Sequence, residues 1–168
     1  AHDELNQPIA SLVGRAKKRP LTQAEFLKLM SLLTTQRVIC NGLAQVGFEE
    51  VWPALEQAQR PTETVLRGLF SQKLLELQEL IANVAVTQRR KVVVFSQWRR
   101  MLKLANWAVS DVLEAAKARA VFFTGEEKQK RRTQNLVDFH DDPEVRVLFA
   151  SDAGGVGLNL QKAASCCI

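Results

Sequence analysis

Three short apolar runs, "KVVVF" (residues 91–95), "RAVFF" (119–123) and "VRVLFA" (145–150), constrain this chain more than any other feature. Each is rich in β-branched or aromatic residues and reads as a strand buried on both faces. After the first run, Met101, Leu102, Ala105, Ala108, Val109, Val112 and Leu113 trace one face of a long helix that begins near Trp98. After the second, "TGEEKQKRRTQNLVDFH" (124–140) reads as a turn and then a basic helix with Leu136, Val137 and Phe139 facing inward. Strands alternating with helices imply βαβ units and a parallel sheet, so the predicted class is α/β. "AASCCI" (163–168) reads as the start of a fourth strand, so the sheet is expected to be incomplete and the chain to be part of a longer protein.

The first half has another rhythm and reads as helices. Residues up to Pro20 read as an extended lead-in. Thr22 and Glu25 in "TQAE" fit a capping box. Phe26, Leu27, Met30, Leu33 and Val38 follow with helical spacing, and Gly42 is the expected stop. "RPT" (60–62) breaks the chain, and a further helix starts there or at Ser71, with Leu74, Leu77, Ile81 and Val84 as its apolar stripe. The expected division is a helical segment over residues 1–87 and a partial α/β lobe over residues 88–168.

Composition removes several classes. No apolar run approaches the ~20 residues that span a bilayer, and the first residues lack a signal-peptide pattern, so no membrane partner is expected. Cys40, Cys166 and Cys167 are odd in number and have no zinc-site spacing; they read as small buried apolar residues in a reducing, cytoplasmic compartment. The formal net charge is +5, and all of it lies in residues 88–168, where fourteen Lys and Arg face nine Asp and Glu. A basic half suits a polyanionic partner.

In a parallel sheet, ligands sit at the carboxyl ends of the strands. Three segments land there: "SQW" (96–98), "TGEE" (124–127) and "SDAGGVGLNL" (151–160). Each offers hydroxyls and backbone N–H groups near a helix start, which suits phosphate oxygens, and Arg131 and Arg132 add charge. Gly154, Gly155 and Gly157 imply an unusual backbone angle or a close approach by a ligand or another backbone. Known nucleotide fingerprints are absent: there is no G-x-x-x-x-G-K-[ST], and the glycine loop is G-x-G-x-x-L. No Ser-His-Asp or metal-ligand pattern occurs, and His2 and His140 read as surface residues. Neither a catalytic residue nor a metal ligand is expected within these 168 residues.

"KVVVFSQW", "FFTGEEKQKRR" and "VLFASDAGGVGLNLQKAAS", in that order, resemble the second RecA-like lobe of SWI/SNF-type ATPases, within the helicase superfamily that includes the DEAD/DEAH-box enzymes. The resemblance points to the bacterial members related to the RNA-polymerase-associated ATPase. Upstream, "KRPLTQAEFLKLMSLLTTQRVICNG" resembles the family's helical segment, without its usual His-Pro, and "SQKLLELQELI" resembles the helix that precedes the lobe. The resemblance implies a RecA-like parallel sheet with flanking helices. It implies that Ser96, Gln97, Thr124, Gly125 and Ser151 touch the DNA backbone. It implies that Gly154, Gly155, Gly157 and Asn159 couple the DNA strand to the ATP site and the other lobe.

The family's arginine-finger motif and its first lobe, with the phosphate-binding lysine and Mg²⁺-binding acids, have no match in these residues. ATP and Mg²⁺ are therefore expected in the full-length enzyme and not on this part alone, which is predicted inactive by itself. The implied partners are double-stranded DNA, the first RecA-like lobe, and RNA polymerase or another DNA-bound protein. The implied function is part of a DNA-stimulated translocase that remodels protein–nucleic acid complexes. The alternative is a non-catalytic nucleic-acid or protein binding module. A helicase acting on RNA or single strands is disfavoured by "SQW" and by the "ICNG" helix.

Overall fold

The runs of β-branched residues form a parallel sheet because their side chains can be buried on both faces only if helices cover both. In the computed structural model, which describes residues 2–58, 60–69, 71–152, 160, 164, 166 and 167, β1 (Val92–Phe95), β2 (Arg119–Phe123), β3 (Val145–Ala150) and the two-residue β4 (Cys166–Cys167) pair in the order β2-β3-β1-β4. All the pairings are parallel. The expected class holds, and "AASCCI" does begin a strand, with Cys166 and Cys167 beside Val92 and Val93.

Alternate strand residues feed two cores, as the two-residue period requires. Val92, Val94, Val147 and Phe149 face a large cluster with α3 (Leu43–Val46), α4 (Phe48–Ala58), α5 (Glu63–Gly68), α6 (Gln72–Ile81) and α7 (Arg99–Ala115). Val93, Val121, Phe123, Leu148 and Ala150 face the other side, against Phe139 of α8 (Gln129–Asp141) and the partly buried Leu136, Leu160 and Ala164. The first core runs without a break from Ala44 to Phe149 and so draws on both halves of the expected division. Helix α6 continues as a π-helical stretch, Ala82–Thr87, before the strand begins. Lys91 then reaches across to the end of α8, where its ammonium donates to the carbonyls of Phe139, His140 and Asp142. Burial pushes that ammonium below its ordinary pKa, against the opposing fields of Asp142 and Asp141. Among the described residues, no helix is long and apolar enough to cross a membrane.

Helices α1 (His2–Ala16) and α2 (Gln23–Asn41) form a hairpin. The capping box at Thr22 is present in full: its hydroxyl accepts from the Glu25 N–H, and the Glu25 carboxylate accepts from the Thr22 N–H. Arg19 also holds that carboxylate, followed by the Thr22 N–H and Arg15, which together lower its pKa to about 2.

Several expectations are corrected here. The extended lead-in is helix α1, which tolerates Pro8 in its interior. Leu5, Ile9 and Leu12 carried the helical period, and the polar residues and Pro8 obscured it. Phe26, Leu27 and Met30 are exposed, because α2 carries its apolar residues around the whole helix while α1 packs along one side of it; Leu29 is its buried residue. Val137 is exposed because Leu136 and Phe139 define the inner face, and a residue two positions from Phe139 points the other way. Cys40 is exposed rather than buried.

The stop at Gly42 is as expected and has a steric cause. Its φ is +129°, and a Cβ there would lie 2.7 Å from Ser71 Cβ and 2.8 Å from Ser71 Oγ. The Ser71 hydroxyl donates to the Asn41 carbonyl at 2.8 Å, so Ser71 cannot retreat without losing that bond. We predict that Gly42→Ala destabilises the chain by about 1–3 kcal/mol, from overpacking and an unfavourable φ together. Urea unfolding checks this, and an unchanged midpoint contradicts it.

Candidate functional site

The parallel register brings the strand ends level. Phe95 and Phe123 both pair with Ala150. The next residues are Ser96, Thr124 and Ser151, so three hydroxyl residues from three separate segments stand side by side along one edge. Two hydrogen bonds extend the ladder past the strands: Ser96 N–H to the Ala150 carbonyl and Ser151 N–H to the Phe123 carbonyl, both 3.1 Å. Gln97 and Gly125 follow, both exposed. A Cβ at Gly125 would meet nothing within 4 Å, so packing does not demand glycine there. Gly154, Gly155, Gly157 and Asn159 lie outside the described residues.

The hydroxyls are engaged in different ways. Ser96 Oγ accepts from the Trp98 N–H at 3.2 Å and holds the turn into α7. Thr124 is 3% exposed. Its N–H donates to Glu127 Oε2 at 2.7 Å, its hydroxyl donates to the same oxygen at 3.0 Å, and the hydroxyl accepts from the Glu126 N–H at 3.2 Å. The Glu127 carboxylate reaches back to the Thr124 N–H as in a capping box, but the hydroxyl accepts from Glu126 and not from Glu127, and α8 begins only at Gln129. The sequence reading offered these donors to a phosphate; in the structure an internal carboxylate holds them. Ser151 is 6% exposed.

Cations surround this edge. Arg99 and Lys103 of α7 flank Glu126 at 3.4 and 3.5 Å, and Arg100 pairs with Glu49. All three are surface pairs, each worth ~0–1 kcal/mol and weakened by salt. Arg37 of α2 differs, because it is held by neutral groups. Its Nη2 donates to Gln97 Oε1 at 2.9 Å, and its guanidinium lies 5.2 Å from the Trp98 ring centre. Beyond Arg37, α2 is fastened to the lobe through Asn41, whose carbonyl accepts from Ser71 and whose side-chain oxygen accepts from Lys73 at 3.0 Å.

Sequence reasoning missed Arg37, Arg99 and Lys103 because they come from helices and not from the loops at the strand ends. Arg37 had one available signal: it opens "RVICNG", the end of the helical segment that resembles the SWI/SNF-type pattern without its usual His-Pro.

Two open clefts flank the edge. One, of about 240 Å³, lies beside Thr124 and is lined by Trp52, Arg99, Lys103 and Glu126 among others. The other, of about 350 Å³, lies beside Ser96 with Leu77, Leu80, Phe95 and Met101 in its walls. Among the described residues, no group of three His, Cys, Asp or Glu side chains is placed to hold a metal ion. The chemistry this edge offers is hydrogen-bond donation and positive charge.

Residues 72–168 match the helicase conserved C-terminal domain. The DNA repair protein rad8 of Schizosaccharomyces pombe is 37% identical over 116 residues, covering 68% of this chain and 9% of that protein. The C-terminal domain of a Sulfolobus solfataricus SWI2/SNF2 ATPase superposes with a TM-score of 0.63 at 21% identity, over 96% of this chain and 62% of that one. The core of a Sulfolobus solfataricus SWI2/SNF2 ATPase solved in complex with double-stranded DNA superposes with a TM-score of 0.66 at 19% identity, over 99% of this chain and 31% of that one. The fold is therefore that of a SWI2/SNF2 C-terminal domain, and the chain spans a minor part of the length of the curated relatives it matches.

If Thr124 mainly fastens its own turn, Thr124→Val leaves the Glu127 carboxylate with the backbone N–H alone. The expected loss is about 1 kcal/mol of stability, the usual worth of such a bond. Thermal or urea unfolding measures it, and a variant as stable as the parent contradicts this role.

Proposed function

The chain belongs to the helicase conserved C-terminal domain family, and on that premise we propose that it is the second RecA-like lobe of a SWI/SNF-type, ATP-dependent translocase. In this reading the whole enzyme moves on double-stranded DNA and remodels protein–nucleic acid complexes, with RNA polymerase or another DNA-bound protein as its target. ATP and Mg²⁺ would be held chiefly by the first lobe. This lobe would supply part of the DNA-contacting surface and the face toward its partner lobe.

One observation carries the reading. Ser96, Thr124 and Ser151 come level on adjacent strands at the carboxyl edge, with the exposed Gln97 and Gly125 beyond them. Open α/β sheets bind ligands at that edge. Phosphate contacts of this kind position a protein on a duplex without reading its sequence. Arg37, Arg99 and Lys103 beside the edge support the same assignment. In the intact enzyme, phosphoryl transfer would depend on positioning and on stabilising charge, to which this lobe adds orientation.

The alternative, a non-catalytic binding module, draws on a different observation. Val13 on α1 and Phe26, Leu27 and Met30 on α2 are large apolar side chains left in solvent, and such surfaces often meet other proteins.

The reading predicts weak, sequence-independent binding of the isolated chain to duplex DNA. Counterion release makes the logarithm of affinity fall linearly with the logarithm of salt concentration, and non-specific affinity should be no tighter than ~10⁻⁶ M. Fluorescence anisotropy across a salt series at low ionic strength tests it. Salt-insensitive binding, or strong preference for one sequence, contradicts it.

A further inference from the structure

We propose that Arg37, on the helical segment outside the three strand-end loops, is itself a ligand of the nucleic-acid phosphate backbone, held in place for that task by Gln97 and Trp98. The inference rests on the reading of the carboxyl edge as a duplex-contacting surface and extends that surface onto α2.

The argument is one of charge and geometry. Arg99, Arg100 and Lys103 each face a carboxylate, which offsets much of their field. Arg37 has only neutral partners among the described residues: the Gln97 side-chain oxygen at 2.9 Å and the Trp98 ring at 5.2 Å. A guanidinium carries five N–H donors in a planar fork. One is used on Gln97, and the others remain for an oxyanion. The ring and the amide fix the fork without neutralising it, so little freedom remains to be lost when a phosphate arrives. Arg37 is exposed, so such a ligand can reach it. Its base is rigid, because Asn41, one turn further on, is bonded to Ser71 and Lys73. The groups that hold Arg37 belong to the loop after β1, so guanidinium, amide and the Ser96 turn form one surface although 60 residues separate Arg37 from Gln97.

The test uses the full 168-residue chain, a duplex of mixed sequence and a salt series read by fluorescence anisotropy. Removing one phosphate contact makes the log–log salt slope shallower by about 0.9. Arg37→Gln is expected to weaken binding equally on two unrelated duplexes and to reduce the slope by about that amount. Arg37→Lys keeps the charge but loses the fork, and is expected to keep the slope with weaker binding.

Lys18→Gln controls for bulk charge. Lys18 lies at the far end of the hairpin, roughly 20 Å from Arg37 along the helix axis, and its loss should leave the slope in place. Thermal melting of each variant confirms that it is folded. Weaker binding of Arg37→Gln at an unchanged slope would assign Arg37 to holding the loop alone and overturn the proposal, as would unchanged binding or an equal change in Lys18→Gln. If the parent chain shows no salt-dependent binding to duplex, the reading of the edge fails, and this inference with it.

Discussion

Strand β3 is paired on both of its edges, with β1 on one side and β2 on the other, and the remaining elements take their positions from that double pairing. Val147, Leu148, Phe149 and Ala150 face Val92 to Phe95 in one register and Ala120 to Phe123 in the other. With every β3 residue buried except the half-buried Arg146, a slip would turn its whole side-chain set to the wrong face. The register therefore also decides where the strands stop. Ser96, Thr124 and Ser151 come level as a consequence of core packing.

What the edge then does follows from the groups that satisfy its polar atoms. A buried hydroxyl such as that of Thr124 needs a partner, and it finds one in Glu127. The same loop supplies Glu126 to two cations of α7. This part of the surface is electrostatically closed on itself. The part nearer β1 is open, since Gln97 and Trp98 are met by a guanidinium and not by a carboxylate. The helical segment thus contributes to the edge as well as to the core, where Ala44, Phe48 and Leu55 pack with Leu74, Val92 and Phe149.

The legible part of the sequence was the part with strong local signals. Strands β1 to β3 announced themselves as β-branched or aromatic runs, and the Thr22 capping box and the Gly42 stop could be read from single residues. The strand-end positions could be named from topology alone. Helix α1 was illegible because Pro8 sits inside it. The exposure of Phe26, Leu27 and Met30 was illegible because apolar spacing reports which face a helix prefers, not whether anything covers it. Val137 is different: its position two residues from Phe139 already pointed outward, and the three-residue inward set contradicted helical geometry. Arg37 could not be assigned from local pattern, since its partner lies 60 residues away and the contact exists only once α2 is fastened to α6.

The central claim is that the carboxyl edge of the sheet meets the DNA backbone. Amide hydrogen exchange on the isolated chain, with and without duplex at low salt, tests it most directly. The account predicts slowed exchange in residues 96–98 and 124–126, with little change at the opposite edge around Lys91 and Glu144. Slowing confined to the α1–α2 hairpin or to that opposite edge, with residues 96–98 and 124–126 unaffected, would contradict it.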